Sequence, residues 1–481
     1  MLLRSILWDY AGRFSLLFAT LVVTGVLSRL LTPEEFGAVG IVVAISGLAT
    51  LLLEFGFVSA IVQQPEVRAE QLSTIFYLVL GGSAAVYALI VVLAPAVASF
   101  YQVPALTALL RVSGLSFLIN AFNLVPNALI IKQMRFKEQS LRNVAITVGV
   151  GVVAIGLAYW GWGVWALVLQ ALLSPLLSFF VNVWLTRWRP RMVFRWAAIA
   201  EMFHYSKFLF FSSVLDSIYT RMDALLIGKA LNMQSVGFYS RAKGMETMVQ
   251  GITTSSLNAV MFPFFSKMQD DLERLKAAFH RFFGLICGVL FLFTGLAYIN
   301  AHWVFEALFG PQWSVSAHYY RIIAMVAFVY PLSALMLSVV SARGNSKDFF
   351  RAEVSKKIVY TPTFFFLWWG IEAYLYAWAT AVLIAFFINL YFLRRTLSIG
   401  IFPYVKTVLS YSGLLVCFLT ALHGVAKCGF YEDRLGCSLL ASVLFVVCFL
   451  LGAYVISPDL VQLFRQKARA LRLRMEGTPV E

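Results

Sequence analysis

The sequence predicts an all-α, polytopic membrane protein of about fourteen transmembrane helices, and three observations carry that expectation. Of the 481 residues, 61% are hydrophobic and 13% are charged, with a mean hydropathy of +0.82. Soluble domains run nearer 45 to 50% apolar and about 25% charged. Apolar runs of roughly 20 residues, the length an α-helix needs to cross about 30 Å of hydrocarbon, recur from end to end. Lys and Arg concentrate in alternate short connections between those runs.

The spans fall near 8–31, 38–62, 74–99, 107–131, 142–160, 163–186, 206–228, 236–262, 278–300, 318–341, 356–372, 374–393, 404–423 and 435–456. The first has no small-residue cleavage site behind it and reads as a retained anchor, not a signal peptide. The seventh and eighth carry several charges, and the eleventh holds Pro362 in its first turns, which a membrane helix tolerates. No stretch remains that is long enough for a separate soluble domain.

Loop charge orients the stack. Lys132, Arg135, Lys137 and Arg142 share one connection; Arg187, Arg189, Arg191 and Arg195 another; Lys267, Arg274 and Lys276 a third. Arg343, Lys347, Arg351, Lys356 and Lys357, then Arg394, Arg395 and Lys406, complete the basic set. The intervening connections, around 101–105, 160–163, 301–311 and 372–374, have no Lys or Arg. By the positive-inside rule the basic loops and both termini are cytoplasmic. The basic tail with Arg465, Lys467, Arg469, Arg472 and Arg474 then lies against anionic headgroups. The formal charge of +15 thus serves topology and gives no reason to expect nucleic acid as a partner.

Five scattered cysteines form no CxxC or Cys/His spacing, so neither a metal nor another cofactor is implied. Cys428 and Cys437 flank a short polar loop on the outer side, where a disulfide and two separate thiols are both compatible with the spacing.

An internal repeat runs through the chain. Leu27 to Gly37 aligns with Ile227 to Gly237, a shift of 237 − 37 = 200 residues, and each segment joins two spans at the same topological position. A second match pairs Leu110-Arg111 with Tyr320-Arg321, a shift of 321 − 111 = 210 residues. Spans one to six and seven to twelve read as two parallel copies, an arrangement of transporters whose substrate site lies between the copies. Thr32-Pro33-Glu34-Glu35 reads as a capping box with Pro at the first helical position, which accounts for both glutamates structurally.

Ionisable side chains inside a span are costly and usually face a bundle interior or aqueous path. The candidates are Arg13 in the first span, Glu54 in the second, Asp216, Arg221 and Asp223 in the seventh, and Arg241 and Lys243 at the start of the eighth, where Glu246 follows. Each also reads as half of a structural ion pair, Arg13 with Glu54 or Arg221 with Asp223 or Glu246. Together Arg221, Arg241 and Lys243 give an excess of cations suited to a phosphate-bearing substrate. The histidines are isolated, Gly149, Gly151 and Gly156 fail a dinucleotide spacing and read as close helix packing, and no P-loop is present. An enzyme is not expected.

The pattern resembles the polysaccharide transporter branch of the multidrug/oligosaccharidyl-lipid/polysaccharide exporter superfamily, within it the colanic-acid-type oligosaccharide-lipid flippases. The residues that carry the resemblance are Leu30 to Gly37, Glu54-Phe55-Gly56-Phe57, Pro126 to Leu129 with Met134 to Lys137, Asp223 to Gly228 with Gly237-Phe238-Tyr239, and Phe262 to Ser266. The resemblance implies two six-helix lobes around a central cavity, placed here at 1–195 and 196–400, with two further helices at 401–456 and a basic cytoplasmic tail at 457–481. It also implies transfer of undecaprenyl-diphosphate-linked oligosaccharide across a bacterial inner membrane by alternating access, with membrane lipids, a polysaccharide polymerase and a chain-length regulator as partners. The alternative it leaves is a cation-coupled multidrug antiporter of the same superfamily, with Glu54, Asp216 and Asp223 as coupling acids.

Overall fold

A computed structural model describes residues 2–54, 57–64, 67–196, 217–343, 346–427 and 435–456. Among these residues there is helix and no strand, as the composition predicts. The helices are α1 Leu2–Leu30, α2 Pro33–Glu54, α3 Phe57–Gln63, α4 Ala69–Tyr101, α5 Ala105–Lys132, α6 Phe136–Tyr159 and α7 Val164–Thr186. Then follow α8 at 217–230, α9 Met233–Ser266, α10 Leu272–Phe309, α11 Ser314–Ala324, α12 Val329–Ala342, α13 Ser346–Tyr360, α14 Ile371–Leu397, α15 Phe402–Lys427 and α16 Leu435–Ile456. Ten stretches among the described residues are helical, long and apolar enough to cross a membrane.

Two expected spans have internal breaks with local causes. The tenth is divided into α11 and α12, because Pro331, in the first turn of α12, has no N–H to offer the Ala327 carbonyl. The eleventh begins ten residues before the expected 356, as the charged α13, and continues as a 3-10 helix over Thr361–Trp369 once Pro362 enters. Charge concealed the first half of that helix: Asp348 with Arg351 and Glu353 with Lys356 are pairs three residues apart on one helix face. Asp348, nearly buried, also lies 3.6 Å from Arg395 of α14.

The chain divides into two compact units, Met1–Ser240 with Leu308–Trp313, and Arg241–Ala307 with Ser314–Glu481. In the first, α4 packs on α5, α5 on α7, α1 on α6, and α6 on α7. Its core joins Phe57, Ile61, Ile75, Phe76 and Val125, and a second cluster joins Leu27, Leu31, Ala154 and Ala166. Of the three glycines expected to mark close packing on α6, only Gly151 meets a neighbour, the Val23 side chain. A Cβ at Gly149 or Gly156 would meet nothing within 4 Å. In the second unit α14 gathers α11, α12 and α13, and α15 pairs with α16.

The 200-residue repeat appears as duplicated local geometry. In each copy the residue after the first helix donates back into it: Leu31 N–H to Leu27 O at 3.0 Å, and Leu231 N–H to Ile227 O at 2.9 Å. Each following helix is capped by a short polar side chain. Glu35 N–H donates to Thr32 Oγ1 at 3.3 Å while Thr32 N–H donates to the Glu35 carboxylate at 2.8 Å, the reciprocal capping box. In the second copy Ser235 N–H donates to Asn232 Oδ1 at 2.8 Å. The second aligned pair also repeats a role: Arg111 donates to the Val91 carbonyl of α4 at 3.4 Å, and Arg321 to the Tyr298 carbonyl of α10 at 3.3 Å.

Candidate functional site

The two capped turns meet in the first unit. A Cβ on Gly37 would collide with the carbonyl oxygen of Met233, and a Cβ on Gly237 with that of Pro33. Only glycine allows backbones to approach so closely, so α2 and α9 cross at equivalent points of the repeat. Residues Leu308–Trp313 close over this crossing. Trp313, fully buried, donates its indole N–H to the Ser28 carbonyl at 2.8 Å, and Gln312 donates to the same oxygen. The Trp313 ring meets Phe36 and Phe238 edge-on, with centroids at 5.4 and 6.0 Å. No motif or charge in the sequence singles out Trp313.

Arg221 of α8 lies deeper in the same unit. Its guanidinium covers Gly47 of α2, where any Cβ would strike it, and donates to the Val43 carbonyl at 3.1 Å. Gly47 stands 47 − 33 = 14 residues into α2, about 21 Å along the helix from Pro33. A helix glycine thus makes room for a cation about four turns into α2, and no carboxylate among the described residues pairs with it. Asp223, two residues on, is buried and accepts from Tyr239 Oη at 2.5 Å. The expected ion pair between Arg221 and Asp223 is therefore replaced by two separate contacts. A carbonyl serves the arginine, and a phenol serves the aspartate.

In the second unit Lys243 forms a salt bridge with buried Glu246 at 3.0 Å, one turn along α9. Its ammonium also stands 4.4 Å from the ring centre of Trp378 and 5.7 Å from that of Tyr330. Gln250 donates to the other Glu246 oxygen. Arg241 is partly buried at the start of the same stretch of α9. Arg13 is exposed on α1 and Glu54 closes α2, with its side chain outside the described residues. Asp216, Cys428 and the basic tail lie outside the described residues altogether. Among the described residues no group of His, Cys, Asp and Glu could hold a metal ion.

One buried polar cluster was read only as loop charge. Arg142, nearly buried on α6, donates to Asn182 of α7 and at 2.7 to 3.1 Å to Asn143. Asn182 in turn donates to Asn123 of α5 at 2.6 Å. The three helices of the first unit are thereby joined by an arginine held on amides.

A family model described as "Polysaccharide biosynthesis protein" matches residues 26–318. Among curated proteins, the chain is 26% identical over 278 residues to the succinoglycan biosynthesis transport protein ExoT of Rhizobium meliloti (strain 1021), a match covering 57% of this chain and 56% of that protein. It is 22% identical to the lipopolysaccharide biosynthesis protein WzxC of Escherichia coli (strain K12), over 74% of this chain and 73% of that one. It is 23% identical to the teichuronic acid biosynthesis protein TuaB of Bacillus subtilis (strain 168), over 93% and 94% respectively. Among solved structures, the fold matches a lipid II flippase, MurJ, in an inward closed conformation, with a TM-score of 0.70, 13% identity, and 95% of this chain and 100% of that chain covered. An inward-facing multidrug resistance MATE transporter of the MOP superfamily matches with a TM-score of 0.61 at 16% identity, over 81% and 98%.

Proposed function

The chain belongs to the polysaccharide biosynthesis protein family, and from that premise we propose that it is a flippase for lipid-linked oligosaccharides. Its cargo is an undecaprenyl-diphosphate-linked repeat unit, carried from the cytoplasmic to the periplasmic leaflet of a bacterial inner membrane for exopolysaccharide or lipopolysaccharide assembly. A glycan diphosphate cannot cross hydrocarbon unaided, because each unsatisfied polar group there costs several kcal/mol. The protein must lend it partners.

The observation that carries this reading is Arg221. A guanidinium about four turns into α2, seated on a bare glycine and bonded to a carbonyl, keeps a charge that no carboxylate among the described residues pairs with. Phosphate oxygens suit the fork of donors it presents. Lys243 is a weaker candidate, since a phosphate would compete with Glu246 for it. Arg13, Glu54, Asp216, Asp223 and Arg241 complete the proposed polar path.

The architecture of the proposal is about fourteen spans in two six-helix lobes, 1–195 and 196–400, with two more helices at 401–456 and both termini cytoplasmic. The Gly37–Gly237 crossing, sealed by Trp313, acts as the outer barrier. It parts when the lobes rock, so the headgroup passes while the lipid tail stays in the bilayer. A polymerase and a chain-length regulator receive the product.

The test is genetic. Expressed in a strain lacking its own glycan flippase, the wild-type chain should restore surface polysaccharide, and Arg221→Ala should reach the membrane yet restore at most about a tenth, as loss of a charge-assisted contact predicts. Arg221→Ala with full export removes Arg221 from the cargo path. Drug efflux without rescue favours the antiporter reading, in which buried Asp223 with Tyr239 would be a coupling site.

A further inference from the structure

The segment that leaves α7, Arg187-Trp188-Arg189-Pro190-Arg191-Met192-Val193-Phe194-Arg195-Trp196, places arginine at four odd positions and apolar side chains at most of the even ones. It is neither a helix nor a slack loop. The Arg191 N–H donates to Ser73 Oγ at 3.0 Å and the Arg195 N–H to Thr74 Oγ1 at 3.1 Å, both hydroxyls buried in the first turns of α4. Those hydroxyls also donate to the carbonyls four residues back, Ala69 and Glu70, so each bridges the strap to the helix. Trp188 meets Phe76 edge-on at 5.5 Å. One edge of the strap is therefore fixed to α4.

The other edge is open and mixed. Met192 is 98% exposed, Phe194 55%, and Trp184, just before the strap, 76%. Arg187, Arg189 and Arg191 are exposed and have no side-chain partner among the described residues. Among the described residues, Arg195 alone of the four has a carboxylate partner, Glu70 at 3.3 Å. The strap joins the end of one membrane-crossing stretch, Val164–Thr186, to the start of another, Ala69–Tyr101. Its height is thus that of the boundary between hydrocarbon and water, where tryptophan and arginine are both favoured.

We propose that this strap is a docking surface for the anionic phospholipid headgroups of the leaflet it borders. The arginines meet lipid phosphates and the exposed Met192, Phe194 and Trp184 enter the shallow acyl region beside them. An exposed methionine and phenylalanine interleaved with arginines suit a charged, apolar-backed lipid surface. A protein partner would need acids alternating with apolar contacts at the same spacing. Each arginine near an anionic surface contributes a factor of about five in partition. The inference rests on the strap alone and holds whatever cargo the protein carries.

The test uses the full chain in nanodiscs of mixed phosphatidylcholine and phosphatidylglycerol, with p-benzoylphenylalanine in place of Met192. Irradiation and mass spectrometry should find lipid adducts in which phosphatidylglycerol is enriched over its bulk share by about fivefold or more. In the triple variant Arg187→Gln, Arg189→Gln and Arg191→Gln the enrichment should fall to the bulk ratio, and the three Arg→Lys changes should restore most of it. The replaced side chains are exposed, and an unchanged gel-filtration profile confirms that the variants are folded. Adducts at the bulk ratio in the wild type, enrichment that survives the triple Gln variant, or cross-links to protein in place of lipid would each overturn the proposal.

Discussion

At the crossing of α2 and α9 the two copies of the repeat match, whereas at the asparagines of α7 and α14 they differ. Helices α7 and α14 both start after a glycine of positive φ, Gly163 at 53° and Gly370 at 104°. Each then carries a fully buried asparagine 18 residues past its first residue, since 182 − 164 and 389 − 371 are both 18. Asn182 is bonded to Arg142 and Asn123, but both amide atoms of Asn389 lack a partner among the described residues. The repeat has thus kept its form where one copy's backbone touches the other's. It has drifted where a side chain serves only the packing of its own unit.

The largest effect is expected at the crossing. Gly37→Ala or Gly237→Ala must push a carbonyl away, and export should fall at least about tenfold, the consequence of roughly 1.4 kcal/mol or more at the crossing. Gly149→Ala, which meets nothing, should leave export intact and raise stability by up to about 1 kcal/mol through helix propensity. Equal responses from Gly37 and Gly149 would erase the distinction.

In denaturant unfolding of the purified protein the largest effect is expected from Asn182→Leu, which strips a buried guanidinium of an acceptor and should cost about 3 kcal/mol. Asn389→Leu removes a buried amide that has no partner among the described residues and should lie within about 1 kcal/mol of wild type, on the stabilising side. If Asn389→Leu costs as much as Asn182→Leu, the two copies are equivalent after all. Smallest is Trp313→Phe, which keeps the ring contacts and loses the bond to Ser28, for about 1 kcal/mol in the same unfolding measurement.

Much of the fold was legible in the sequence because apolar length and loop charge are properties of single segments. Each of the six spans expected before residue 187 except the second coincides in order with one helix of the described structure, and the second meets α2 and α3. Expectation failed at Pro331 and Pro362, where a missing donor changes helix type without lowering hydropathy, and at α13, where i,i+3 ion pairs hide a helix in a polar stretch. The site was legible only as a set of charges. Sequence places Arg221, Asp223 and Lys243 inside spans, but their partners, Val43 and Gly47, Tyr239, and Glu246 with Trp378, are mostly distant in the chain. Gly37 and Gly237 were aligned by the repeat, yet alignment alone gave no hint that they touch.

The glycine crossing is proposed to be a barrier in a lipid-oligosaccharide transport cycle. The most direct test reconstitutes the protein in vesicles containing an undecaprenyl-diphosphate oligosaccharide in both leaflets and measures how much becomes accessible to an enzyme added outside. With wild type the inner-leaflet pool should become accessible, and with Gly37→Ala it should do so at least about tenfold more slowly at equal protein. Wild-type vesicles no faster than protein-free ones, or Gly37→Ala vesicles as fast as wild type, would contradict the account.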